Sequence, residues 1–374
     1  MRLKGFFILN KRVFILILLG LLALDGLVSL TISQRFARPE GQRLPADDEA
    51  TVGLWIDQVK KSDGYKVVIL GDSVIHGFAV ESSFDTLPAH IGQELRERLP
   101  GREVRVFNLG LAGAAPAEVY FLVSALEGAG VDLIIYNINL GWFAPKENVL
   151  DHRSLLKFKG GLSDLDLETL GVEPEKPTAT PVEEWLTGHI FSHWKLYRYR
   201  VLLNYWLFGK PIREKLEEAK TDPRQLLPLA GDKLPEALEM RAPWQEKNWD
   251  GKLDPADGRV GTLNLADDNK QWLFYRMMLD LIKSKAIPTV FFITPRNYEL
   301  LDRYDMVDRT AYAKNLSAIV DAAKAHGIPV LDYDSALPYE YFSDMVHPLP
   351  EGNELLARKL VRDLIDKGYL ANPL

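Results

Sequence analysis

Five short runs rich in β-branched and aromatic residues recur along the chain: YKVVIL (65–70), EVRVFNLG (103–110), DLIIYNIN (132–139), IPTVFFIT (287–294) and IPVLDY (328–333). None alternates strictly between apolar and polar, as a strand with one wet face would, so they predict parallel strands buried on both faces. Helical spacing of apolar positions lies between or after them, at Leu87 to Leu99, Pro116 to Glu127, Trp272 to Lys285, Tyr312 to His326 and Gly352 to Lys367. Strands joined by helical crossovers predict an α/β fold with an open, doubly wound sheet. In such sheets the site lies at the carboxyl ends of the strands. Ser73, Gly110, Asn139, Thr294 and the stretch after Tyr333 all stand there.

Two segments break this rhythm. Near the start, an apolar run from Val13 to Thr31 would span about 28 Å as a helix, enough for a bilayer core. Arg2, Lys4, Lys11 and Arg12 precede it, against Arg35 and Arg38 after it. That asymmetry predicts a single-pass protein with a cytoplasmic N-terminus and an extracytoplasmic remainder, periplasmic or at the cell surface. The competing reading is a cleaved signal peptide with Val13 to Leu24 as its apolar core; no A-x-A site follows, which favours an uncleaved anchor. Asp25 falls inside the span, where a carboxylate is costly unless it faces protein or water, or lies near enough the surface to reach it. If it faces protein, it is a natural contact for a membrane partner.

The expected organisation is a tip and anchor over 1–35, a polar linker with Pro and Gly over 36–64, and a catalytic-sized domain over 65–374 with an insertion at about 142–261. The insertion is too long for a loop. It carries Trp185, Trp194, Trp206, Trp244 and Trp249, of 8 tryptophans in the chain. Its HWKLYRYRVLLNYWLFGK (193–210) mixes aromatics with Lys195, Arg198, Arg200 and Lys210. This pattern fits a helix on a membrane interface or an aromatic stripe packed on the flank of the sheet. DGKLDPADG (250–258) lacks the acidic spacing of an EF-hand loop and reads as turns.

With 374 residues, 47% of them hydrophobic, the chain can bury a full core. A net charge of -7 and the absence of any basic tract argue against a nucleic-acid partner. There is no cysteine, which excludes disulfides, thiolate nucleophiles and Cys-based zinc sites. No cofactor and no metal is expected.

The chemistry concentrates at VVILGDSVIHGFAV (67–80), a buried strand that runs through Gly-Asp-Ser into a helical pattern. A serine after a strand is also an ordinary helix cap. Near the other end, YFSDMVHPLPEGNELLARKL sets Asp344 and His347 three apart, after the last strand and before the last helix. A neutral imidazole can take a serine proton, and a carboxylate on its other nitrogen fixes the tautomer and stabilises the imidazolium. His76, one turn after Ser73, is a rival base, although a histidine there is more commonly structural. Asp72 is read as a hydrogen-bond partner that shapes the turn.

These residues resemble the SGNH, or GDSL-type, hydrolase superfamily over about 65–141 and 267–368. The resemblance implies a flavodoxin-like five-stranded parallel sheet, Ser73 as nucleophile, Asp344 and His347 as its triad partners, and Gly110 of FNLGLAG as an oxyanion-hole glycine beside the Ser73 amide. The family's Gly-x-Asn-Asp motif is replaced here by IIYNINLGWF, where Asn139 is the nearest candidate donor and Asn137 points the same way. A buried asparagine satisfied by backbone is the alternative. Arg296 and Asn297 of TPRNYEL follow the fourth strand and could bind a polar substrate or form a loop salt bridge.

An anchor, an extracytoplasmic GDS domain and a large insertion together look like the membrane-anchored envelope acyltransferases of bacteria. That group includes the D-alanyl transfer protein of teichoic acids and the alginate acetylation proteins. The resemblance implies O-acyl transfer to an envelope glycan through an acyl-serine, beside a multispanning membrane-bound O-acyltransferase. An anchored carbohydrate esterase is the alternative within the class. A catalytically degenerate scaffold that binds polysaccharide or a membrane partner is the alternative outside it.

Overall fold

The computed structural model describes residues 11–144, 149–173, 180, 185, 186, 188, 189, 191–208 and 240–370. The chain divides into two compact units, 1–37 with 177–228, and 38–176 with 229–374. The larger unit is built on a five-stranded sheet in the order β2-β1-β3-β4-β5. Its strands are β1 (Tyr65–Gly71), β2 (Val104–Gly110), β3 (Leu133–Ile138), β4 (Thr289–Ile293) and β5 (Val330–Leu331), all paired in parallel. This is the doubly wound, flavodoxin-like order, with the chain reversing direction of travel between β1 and β3.

Both faces of the sheet are covered, which explains why no strand alternates. Val67 and Ile69 of β1 share one buried cluster with Leu87, Ile91 and Leu95 of the helix Leu87–Arg98 and with Leu356, Leu360 and Leu364 of the helix Pro350–Asp366. On the opposite face Tyr136 of β3 and Phe291 of β4 meet edge to face at 5.1 Å, and Tyr275 of the helix Lys270–Ser284 packs against Phe291 with its ring tilted by 46°. That helix packs on Pro116–Ala125. Three helices begin where a side chain caps a first-turn amide, Leu87–Arg98, Lys270–Ser284 and Arg309–Ala325: Thr86 accepts from Ala89 N, Asn269 from Trp272 N and Asp308 from Ala311 N.

β5 is shorter than the 328–333 run predicts. Only Val330 and Leu331 pair with β4. The Asp332 carboxylate accepts from the Asp334 amide at 3.1 Å and turns the chain off the edge of the sheet.

The stretch 36–64 is not a linker. It holds the helix Glu49–Lys61, which Asp48 caps through Thr51 N at 3.2 Å. Val52, Trp55, Ile56 and Val59 recur at i, i+3, i+4 and i+7, and all are buried. Pro39, Gly41 and Pro45, of the residue types that make this stretch read as a linker, lie ahead of the helix, and Asp48 and Glu49 are its start signal. The expected single insertion also divides: residues 142–176 and 229–261 belong with the sheet, whereas 177–228 belong with the N-terminal residues.

In the smaller unit the helix Lys11–Arg35 has a mean hydropathy of 2.6 over its most apolar stretch, long and apolar enough to cross a membrane. The helices Lys195–Arg198 and Arg200–Phe208 belong to the same unit.

Trp55 tests the helix at 49–61. Trp55→Ala removes a fully buried side chain and should cost about 3–5 kcal/mol, read as a lower midpoint of chemical denaturation by circular dichroism. Lys60→Ala, on the exposed face, should leave the midpoint unchanged. Two silent substitutions would return the segment to a linker.

Candidate active site

β1 ends at Gly71, directly opposite Gly110, the last residue of β2. A Cβ on Gly71 would lie 1.7 Å from Asn137 Oδ1. One on Gly110 would meet the His76 amide nitrogen at 2.4 Å and the Ile75 carbonyl carbon at 2.7 Å. The two glycines therefore let the turn after β1 sit flat on its neighbours. Asp72 then caps a single helical turn, Ser73–His76, by accepting from Val74 N at 3.0 Å. Ser73 is the first residue of that turn, so its amide has no partner inside the helix.

The loop from Phe342 to Leu349 brings the other two predicted residues to Ser73. His347 Nδ1 lies 2.7 Å from Asp344 Oδ2, and His347 Nε2 lies 2.7 Å from Ser73 Oγ. A carboxylate only accepts, so Nδ1 carries the proton and Nε2 receives the serine hydroxyl. Asp344 Oδ1 accepts the amides of Val346 and His347 at 2.8 and 2.9 Å. Burial works against charge on His347, but the Asp344 charge and hydrogen bond outweigh it and raise its pKa above the ordinary 6.5. Burial likewise opposes the Asp344 carboxylate, and His347 together with the two amides overcomes it and lowers its pKa. The exposed ring of Phe78 stands 5.2 Å from the imidazole and walls the opening.

His76 is not a rival base. Its Nδ1 donates to the Gly110 carbonyl at 3.3 Å. Burial, then the charge of Arg43, pushes its pKa down to about 4.

The loop that carries Asp344 and His347 is braced from two distant parts of the sequence. Trp244 N donates to the Phe342 carbonyl at 3.0 Å, and Lys247 Nζ donates to the carbonyl and hydroxyl of Ser343 at 2.6 and 2.7 Å. Asn297 donates from its amide to Met345 O at 3.0 Å and from Nδ2 to Asp344 O at 3.1 Å, and its Oδ1 caps Leu300 N. Of the two readings left open for Asn297, substrate contact or loop bridge, its full burial and these bonds give it a part in holding the loop. Arg296 is also buried and is held by Tyr312 and by Asn139 Oδ1, at 3.1 and 2.9 Å.

Two of the three expected oxyanion donors are engaged within the protein. The Gly110 amide donates to Asn108 Oδ1 at 2.9 Å, which makes Gly110 a close-approach residue. Asn139 Nδ2 donates to Asp72 Oδ2 at 2.7 Å. Asp72 also receives Trp142 Nε1 at 2.5 Å and Asn137 Nδ2 at 2.9 Å, and Asn137 reaches Thr294 Oγ1 as well. Sequence reasoning gives Asp72 a turn-shaping part and misses Trp142, Trp244 and Lys247. The period-two spacing of Asn137 and Asn139 is the one signal that aims side chains at Asp72.

No protein-family model and no curated sequence matches the chain. Among solved structures it is similar to a lipase/acylhydrolase from Enterococcus faecalis, at 12% identity and a TM-score of 0.39 over 83% of this chain and 99% of that one. It is also similar to an acetylxylan esterase from Geobacillus stearothermophilus, at 12% and 0.40 over 82% and 96%, and to a GDSL-like lipase from Bacteroides thetaiotaomicron, at 13% and 0.35 over 86% and 100%. These likenesses carry no chemistry across. The fold class rests on the observed strand order, and the reading of the site on its own geometry.

Histidine titration by NMR checks the electrostatics. His347 should titrate above 6.5 and fall when Asp344→Asn removes the charge, while His76 should stay neutral down to about 4. The signs of the stability terms differ. The raised pKa of His347 adds stability that is fully present below 6.5 and is lost as pH rises through its folded value. Below 6.5 the unfolded chain binds a proton at His76 that the fold refuses, so this contribution falls as pH drops toward 4. Separately, Gly110→Ala should displace the Ser73 turn, seen as loss of the shifted His347 resonance. A normal spectrum in that variant would mean the turn has slack.

Proposed function

We propose that this chain is a serine acyltransferase of the SGNH type that passes an acyl group to a hydroxyl of a cell-envelope glycan. The observation that carries the reading is the continuous hydrogen-bond chain from Ser73 Oγ through His347 to Asp344, at 2.7 Å in each step. In the first half-reaction Ser73 Oγ attacks the carbonyl of an ester or thioester donor while His347 Nε2 takes its proton. The tetrahedral oxyanion is met by the Ser73 amide and by the second amide hydrogen of Asn139, the first being spent on Asp72. Collapse expels the alcohol or thiol, which leaves with the proton from His347, and an acyl-serine remains. In the second half, His347 deprotonates an acceptor hydroxyl, which attacks the acyl-serine and regenerates Ser73. Asp344 holds the ring and stabilises the imidazolium at both stages.

The glycan acceptor and a multispanning acyltransferase as supplier of acyl groups are supported by the helix Lys11–Arg35, which has the length and hydropathy of an anchor. A serine tied to the bilayer is suited to acyl groups that arrive across it. Water as acceptor turns the same site into an esterase.

Full-length protein in mild detergent should cleave p-nitrophenyl acetate, and Ser73→Ala and His347→Ala should each lower kcat about 10³-fold or more, with the double variant no worse than either. The rate should rise with pH through a midpoint above 6.5, because only neutral His347 accepts the proton. Asn139→Ala should lose about 10²–10³-fold in kcat if it meets the oxyanion; lost stability with an unchanged rate would leave it structural. Mass spectrometry of acylated oligosaccharide against released acid then decides the acceptor, and exclusive release of acid in the presence of envelope glycan would make the protein an esterase.

A further inference from the structure

Within the unit formed by residues 1–37 and 177–228, the run from Val13 to Ser33 carries a single ionisable side chain, Asp25. Its Oδ1 accepts the Leu196 amide at 3.2 Å. One turn further along, Lys195 Nζ donates to Ser29 Oγ at 2.7 Å. Near the end of the helix the Arg35 guanidinium lies 4.4 Å over the ring of Trp206. Val28 and Ile32 are the buried positions between them. Residues 25, 28, 29, 32 and 35 fall at helical spacing on one stripe, so residues 195–206 run alongside the last turns of the helix over about 15 Å.

The segment laid on this stripe has a distinct chemistry. FSHWKLYRYRVLLNYWLF (191–208) contains Lys195, Arg198 and Arg200 and no acidic residue, in a chain whose net charge is -7. Phe191 packs on Tyr197, and Arg200 lies over the Tyr197 ring. On the helix Arg200–Phe208, Leu202 is buried, whereas Leu207 is 71% exposed and Phe208 is exposed beside it. Cations, aromatics and exposed apolar side chains without a carboxylate make the composition of a helix that lies in an anionic bilayer interface.

We propose that residues 191–208 are a second membrane element, held at the extracytoplasmic boundary of the lipid by Asp25. Leu207 and Phe208, next to the Trp206 that lies level with Arg35, enter the boundary between headgroups and acyl chains, Arg198 and Arg200 reach anionic headgroups, and Lys195 is held at Ser29. The carboxylate inside the span is thereby explained: it satisfies a backbone amide that would otherwise be unpaired at the same depth. Asp25 is thus taken by the chain's own insertion and is not the free contact for a partner that its sequence position suggests. The inference rests on the reading of Lys11–Arg35 as a bilayer span.

The chain has no cysteine, so single-cysteine variants can carry an environment-sensitive fluorophore. Labels are placed at Leu207→Cys, at Leu22→Cys on the exposed face of the anchor helix and at Glu340→Cys on the larger unit, in full-length protein reconstituted in phosphatidylcholine vesicles with and without phosphatidylglycerol. The Leu207 label should emit to the blue of the Glu340 label, be quenched by shallow nitroxide lipids and be shielded several-fold from aqueous iodide, more strongly with phosphatidylglycerol. Asp25→Leu should return it toward water, and Asp25→Asn, which keeps an acceptor oxygen, should not. A Leu22 label in lipid with a Leu207 label in water overturns the proposal and leaves the anchor standing. A Leu22 label in water removes the anchor itself. A Leu207 label that is wet in pure vesicles but shielded in native membranes assigns the face to a protein and also overturns the proposal. No change of depth in Asp25→Leu removes Asp25 as the holder.

Discussion

The Asp72 carboxylate is the point on which the geometry of the site depends. It is 2% exposed, and it accepts from Val74 N, Asn137, Asn139 and Trp142. A carboxylate out of water is stable only when donors replace its hydration. Here those donors come from the turn itself, the end of β3 and the 3-10 turn Leu140–Phe143. Because these four donors come from three backbone segments, the turn that presents Ser73 is located relative to the sheet rather than only by its own hydrogen bonds. Asn139 passes the constraint on to Arg296, and through Tyr312 to Asp334, so the carboxyl ends of β3, β4 and β5 are tied in one buried network. Such networks are rigid only when every member is satisfied.

What could be read from the sequence follows from what is local. Strand runs without alternation, capped helices, and the Gly-Asp-Ser turn followed by a helical pattern all declare themselves within a few residues, and they recover the sheet, its helices and the positions of Ser73, Asp344 and His347. The engagement of Asn139 and Gly110 was not legible, because an asparagine amide serves an oxyanion or a carboxylate equally well until its neighbour is known. Asp72 and Trp142 are far apart in the chain, and nothing in either local pattern joins them. The helix at 49–61 was hidden for a different reason: the prolines and glycines around it mark a linker, and the apolar stripe of Val52, Trp55, Ile56 and Val59 was outweighed by its polar flanks.

The loop of Asp344 and His347 has almost no regular structure and takes its shape from outside. Trp244 and Lys247 arrive from the return of the insertion, Asn297 from the end of β4. The insertion is therefore part of the support of the site: its final residues hold Phe342 and Ser343, just before the acid, and Lys247 adds a cation that tempers the rise in the His347 pKa. Buried hydrogen-bonding residues around a loop confer the precision that a helix or strand would otherwise supply.

Ser73 and His347 are separated by 274 positions. A chain made from its N-terminus completes β1 and the serine turn early, but it acquires the histidine only when nearly all of it has emerged, and the loop bearing that histidine leads into the final helix, Pro350–Asp366. Until that helix docks against Leu87–Arg98, Ser73 has no imidazole beside it. A truncated chain consequently lacks the hydrogen-bond chain at Ser73, which forms only with the completion of the fold.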